Sequence, residues 1–117
     1  MSRTGRSRAV RRPAHALVFA ALGDETRLAL VRKLSGGEPR SISQLAEGSK
    51  LTRQAITKHL RVLERVGIVH GERVGRESLF AYDPAPLGEA KEYLERVSEQ
   101  WDGALARLKA LVESGER

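Results

Sequence analysis

The chain of 117 residues contains no cysteine. Disulfides, thiolate metal sites and cysteine redox sensing are thereby excluded, and a reducing compartment such as the cytoplasm is expected. Aromatic residues are scarce, at 4% against 40% hydrophobic residues overall. The core must therefore be aliphatic, which suits a small helical protein better than a sandwich. No run approaches the ~20 apolar residues that span a bilayer. The N-terminus has no apolar stretch of the signal-peptide kind, so no membrane association is expected. A nucleophile–base pair, a Gly-rich phosphate loop and a metal cluster are all missing, which argues against an enzyme. Ser35, Ser41 and Ser43 stand where caps and loops explain them.

Acid is also missing from the first 13 residues, where Arg3, Arg6, Arg8, Arg11 and Arg12 give +5 of the formal net charge of +6. The remaining 104 residues therefore carry +1. Within them the charge is again uneven. From Lys50 to Arg76, seven Lys and Arg face only Glu64 and Glu72, a local +5. A basic centre between near-neutral flanks is the footprint expected of a nucleic-acid face.

The organisation follows from periodicity and punctuation. Residues 1–13 read as a disordered basic arm with almost nothing to bury. A first helix is expected over Ala14–Leu22, using Leu17, Val18, Ala21 and Leu22, with Gly23 breaking it. Asp24 caps a second helix that places Leu28, Leu30, Val31 and Leu34 inside. Ser41 or Ser43 caps a short third helix ending near Gly48. Then comes the most informative stretch, Leu51 to Gly67. Thr52 is its N-cap, Ile56, Leu60 and Leu63 form one apolar face, and Arg53, Gln54, Thr57, Lys58 and Arg61 fall on the others. Gly67 is a suitable stop. Segments on either side of Gly75-Arg76 read as a β-hairpin.

From Leu87 the apolar positions keep a seven-residue repeat. Leu87, Leu94, Trp101 and Leu108 form one register, and Ala90, Val97, Ala104 and Leu111 the other. Such a stripe is coiled-coil-like. A helix of about 25 residues spans about 38 Å at ~1.5 Å per residue, more than so small a domain covers, so self-association is expected. The candidate dimer interface is Leu17, Leu87, Ala90, Leu94, Val97, Trp101 and Leu108.

Two short helices, a turn, a basic helix and a hairpin make a winged helix-turn-helix, a mainly α fold with a two-stranded wing. The expected division is a basic arm over residues 1–13, a DNA-binding domain over 14–84 and a dimerisation helix over 85–117. Thr52–Val66 would be the recognition helix, with Gln54 and Thr57 at base edges and Arg53 and Lys58 beside them. Arg73 and Arg76 on the wing would reach phosphates or the minor groove. Ser43, Gln44, Thr52 and Arg61 complete the candidate DNA-binding set. The alternative is a winged module that binds protein and not DNA; the basic recognition helix argues against it.

The chain resembles the ArsR/SmtB family of bacterial transcription regulators over about residues 15–112. The carriers are the run from Ala20 to Leu28 with its Asp24-x-Thr26-Arg27-Leu28 element, Ile42 to Ala46, Leu51 to Leu60, Leu63 to Val69, and the wing ending Gly75-Arg76-Glu77. The resemblance implies a homodimer held by the first and last helices, and repression by occluding a promoter. Familiar sensors of the family place cysteines in the third helix, where this chain has Ser41-Ile42-Ser43-Gln44, or Asp and His in the last helix. From Pro84 to Arg117 this chain has no histidine. Metal sensing is therefore not implied, and no cofactor is expected. The Asp83-Pro84-Ala85-Pro86-Leu87 linker and Trp101 resemble a branch of the family without metal sites. His15 and His70 have no Cys or His at ligand spacing and read as surface residues. His59 and Arg27 read as structural anchors near the helix pair.

Overall fold

The computed structural model describes residues 15–115. The basic arm expected over residues 1–13, and the Ala14 start of the first helix, lie outside the described residues. Helix α1 (His15–Leu22) turns Val18 and Ala21 inward. Helix α2 (Glu25–Leu34) begins at Asp24, whose carboxylate accepts the Arg27 N–H at 3.0 Å. Leu30, Val31 and Leu34 of α2 are buried, but Leu28 is exposed. The expectation for Leu28 is thereby corrected. Leu30, Val31 and Leu34 share one stripe of α2, and Leu28 stands to its side, where no element covers it.

A two-residue strand β1 (Arg40–Ser41) leads into helix α3 (Ile42–Ala46). Ser41, not Ser43, is the cap. Its hydroxyl accepts the Gln44 N–H while Gln44 Oε1 accepts the Ser41 N–H, a reciprocal capping box. Helix α4 (Arg53–Arg65) starts on Thr52, whose hydroxyl accepts the Ala55 N–H. It ends in a Schellman motif. Gly67, at φ +80°, donates to the Glu64 carbonyl, and Ile68 donates to the Leu63 carbonyl. The left-handed φ is the reason a glycine stands there. The Ile68 and Leu63 side chains, both fully buried, accompany the motif.

Strands β2 (Val69–Val74) and β3 (Glu77–Tyr82) pair antiparallel, with Val69 opposite Tyr82 and Val74 opposite Glu77. Gly75 at φ +62° takes the first central position of the two-residue loop, as a II′ hairpin requires. The wing is the two-stranded hairpin expected, and among the described residues a further strand that the sequence did not suggest joins it, in the order β1-β3-β2. Two residues of β1 are too few to show a period of two, and the strand exists only because Arg40 and Ser41 meet Phe80 and Leu79.

The core is aliphatic. Leu34, Leu45, Ile56, Leu60, Leu63, Ile68 and Val69 are fully buried, with Phe80 the one ring among the buried side chains. Helix α5 (Ala85–Gly115) is 31 residues long, about 46 Å at ~1.5 Å per residue. Asp83 caps it by accepting the Ala85 N–H. Ala90, 3% exposed, is its one side chain buried in the core, and Leu87 packs against that core. Beyond them α5 presents exposed Leu94, Trp101, Leu105, Leu108, Leu111 and Val112. Ala90 and Leu87 were expected at a dimer interface. Their first heptad lies over the domain's own core, with Ala90 buried there and Leu87 half-buried.

Candidate nucleic-acid interface

Helix α4 is strongly amphipathic. Its inner stripe of Ile56, Leu60 and Leu63 anchors it to the core, so the outer side chains are held in fixed positions. Arg53, Gln54, Lys58 and Arg61 are exposed and Thr57 is half-buried. An open groove of about 640 Å³ runs along the start of the helix, lined by Ile42, Thr52, Arg53, Gln54, Thr57 and Lys58. It offers guanidinium, amide, hydroxyl and ammonium groups at the N-terminal end of a helix, where backbone dipoles also favour an anion.

The hydroxyl and amide groups are not all free. Thr57 donates its hydroxyl to the Arg53 carbonyl at 2.8 Å, which leaves its oxygen as an acceptor only. Thr52 accepts its own helix's N–H and keeps its proton for an outside acceptor. Gln44 has its carbonyl oxygen committed to the capping box, leaving the amide NH₂ for an outside contact. Ser43 is exposed. Arg53, Gln54 and Lys58 carry the unencumbered donors of the groove.

The wing brings two more cations to the same side. Arg76 shares a hollow of about 150 Å³ with Ser43 and Arg53, joining the hairpin tip to the helix pair. Arg73 shares a cleft of about 200 Å³ with Arg61 between α4 and the hairpin. Arg61 is the one cation of this set with an ion pair, to Glu64 at 3.1 Å. The other oxygen of Glu64 accepts the Gly71 N–H at 3.3 Å.

A second cluster supports α4 from behind. The Arg27 guanidinium donates to the carbonyls of Ala21 at 2.6 Å and Ala20 at 3.4 Å, closing the end of α1. It also lies 3.4 Å from His59 Nδ1 on α4. Asp24 Oδ2 is 3.9 Å from the same nitrogen. Asp24 titrates below its ordinary value, chiefly because it accepts the Arg27 N–H and also because the Arg27 and His59 charges stand near it. Arg27 and His59 are thus anchors between helices. His70 is not an idle surface residue, since its Nε2 is 2.9 Å from Asp83 Oδ2 at the start of α5. That hydrogen bond, after the Ala85 N–H, holds Asp83 below its ordinary value. Pairs such as His70–Asp83 and Glu64–Gly71 left no local signal in the sequence. His15 stacks on Tyr93 with ring centroids 4.5 Å apart, fixing α1 to α5.

Of the expected interface residues, Leu17, Leu94, Trp101 and Leu108 are exposed on α1 and α5 and Val97 is half-buried. Among the described residues no group of three or more His, Cys, Asp or Glu could hold a metal ion. No helix among them is long and apolar enough to cross a membrane.

This arrangement has relatives. A helix-turn-helix domain family matches residues 22–72. The chain is 32% identical over 96 residues to the HTH-type transcriptional regulator Rv2034 of Mycobacterium tuberculosis, across 82% of this chain and 86% of that protein. It is 33% identical over 63 residues to the HTH-type transcriptional repressor SmtB of the same species, across 54% of this chain and 46% of the repressor. Among solved structures, the ArsR-like transcriptional regulator from Rhodococcus sp. RHA1 superposes with a TM-score of 0.72 at 41% identity, covering 83% of this chain and 91% of that one.

Proposed function

We propose, for a chain that belongs to the ArsR/SmtB family of winged helix-turn-helix transcription regulators, that it works as a homodimeric repressor without metal sensing. It is a DNA-binding regulator and not an enzyme. The finer reading is that α4 enters the major groove, with Arg53, Gln54, Thr57 and Lys58 at base edges and Arg73 and Arg76 on phosphates. Ser43, Gln44, Thr52 and Arg61 would lie along the backbone. Two copies joined along α1 and α5 would set their recognition helices about one turn of DNA, ~34–36 Å, or a multiple of it apart. The operator would then be an inverted repeat, and occupancy would block a promoter in the cytoplasm.

The observation that carries this reading is the open groove at the capped start of α4. Arg53, Gln54 and Lys58 present unpaired donors there, with Arg76 of the wing alongside. Selection of bound sequences from a random duplex pool tests it. Recovery of an inverted repeat supports the dimeric operator. Recovery of no enriched sequence, with no shift of any duplex at low salt, would leave the winged fold as a protein-binding module.

A further inference from the structure

The base of the wing is packed into the core through Val69 and Phe80, and one carboxylate, that of Glu64, hydrogen-bonds the recognition helix to its outer strand. Glu64 lies on the last turn of α4, half-buried. Its Oε1 is 3.1 Å from an Arg61 guanidinium nitrogen, and its Oε2 accepts the backbone N–H of Gly71 at 3.3 Å. Strand β2 is an edge of the sheet, so alternate backbone groups along it lack a strand partner. At Gly71 that missing partner is supplied by the side chain of Glu64. The approach is close enough to dictate the residue type. A Cβ added at Gly71 would lie 2.9 Å from Phe80 Cε1 and 3.2 Å from Glu64 Oε2. The Phe80 ring is buried and cannot swing aside. Arg73 stands two residues further along β2, and Arg76 is at the tip.

We propose that Glu64 is a positioning residue for DNA binding: by bridging Arg61 on the recognition helix and the Gly71 backbone on the wing, it sets the hairpin's angle on α4 and so places Arg73 and Arg76 against phosphates. This inference rests on the DNA-binding reading and deepens it. It also runs against simple electrostatics. A carboxylate on the DNA-facing side of a basic helix repels a polyanion, so its removal alone would tighten binding. Positioning demands the opposite, because the outer part of the hairpin, without Glu64 and beyond the buried Val69 and Phe80, spreads its two cations over more orientations and their ordering must then be supplied on binding.

Titration of a labelled random-sequence duplex at low salt with the full chain separates these outcomes, since phosphate contacts do not depend on sequence. Glu64→Ala should weaken binding about fivefold, the effect of losing one hydrogen bond's worth of order. It should also shallow the salt dependence by up to about one ion. Glu64→Gln keeps an oxygen for the Gly71 N–H and should stay within about twofold of the wild type. In a chain already carrying Arg73→Ala and Arg76→Ala, adding Glu64→Ala should change affinity by less than about twofold, because coupled residues lose their effect together. Hydrogen exchange at the Gly71 amide should quicken in Glu64→Ala without DNA. Tighter binding by Glu64→Ala, an equal loss from Glu64→Ala with and without the two arginine substitutions, or a loss in Glu64→Gln equal to that in Glu64→Ala would each overturn the proposal. A wild type that binds no duplex would overturn the DNA reading itself and this inference with it.

Discussion

Trp101→Glu tests the dimerisation helix. Trp101 is 62% exposed although it continues the register of Leu87 and Leu94, and Leu111 further along is 69% exposed. With Leu17, Leu94, Leu105, Leu108 and Val112 these side chains leave roughly 800 Å² of surface open on one protomer, beyond the roughly 300–600 Å² of the largest patch on a typical monomer. Two such faces together reach the roughly 1,600 Å² of a standard specific interface. Burying the open part of the indole contributes about 4 kcal/mol per protomer at ~25 cal/mol per Å². A two-fold dimer contains two copies, and an unpaired carboxylate in the seam opposes association further. Even half of the combined effect, about 4 kcal/mol, raises the dissociation constant about a thousandfold. Sedimentation equilibrium from submicromolar to tens of micromolar protein reads this directly. The wild type should be a dimer and the variant a folded monomer, because Trp101 makes little contact with its own domain. A variant that dimerises like the wild type would refute the seam.

Three further outcomes follow from named contacts. Thr52→Ala removes the acceptor for the Ala55 N–H and should cost ~1 kcal/mol of stability, a drop of roughly 4–8 °C in the midpoint of thermal unfolding for a domain of this size; an unchanged midpoint would show that the cap contributes nothing. Arg73→Ala and Arg76→Ala should each weaken binding to all duplexes and shallow the salt slope by ~0.9 ion, and a wild-type slope in either variant would remove that residue from the backbone. Asp24 and Asp83 both titrate below the ordinary value of 3.8. The unfolded chain therefore binds more protons in acid, so their stabilisation is full above the ordinary carboxylate range and is lost as pH falls through the folded values. Replacing both by asparagine, which still caps, should flatten part of the acid limb of the stability curve; an acid limb of unchanged steepness would contradict this.

Much of the fold is legible in the sequence because its signals are local. Asp24, Thr52 and Gly67 mark helix ends through contacts spanning only a few residues, and the 4-3 spacing of Ile56, Leu60 and Leu63 defines a face without reference to anything else. The misses all depend on distant partners. Strand β1 exists only against Phe80 and Leu79. Leu28 is apolar, but which side of α2 is covered depends on where α4 lies. Ala90 fits a heptad as well as it fits the core, and its burial depends on the placement of α5 over α1. The candidate interface shows the same division. The cations of α4 and the wing could be named from their positions, whereas the bonds that orient Thr57, Gln44 and Arg61, and the Glu64 bridge to Gly71, arise from three-dimensional proximity.

Whether the start of α4 reads sequence is decided at Gln54. Fluorescence anisotropy should compare wild type and Gln54→Ala on the selected operator duplex and on a scrambled duplex at one salt concentration. Loss of a bidentate amide contact is expected to lower operator affinity by ~1–3 kcal/mol while leaving scrambled-duplex binding nearly intact. Equal losses on the two duplexes, or none on either, would show that Gln54 does not read a base.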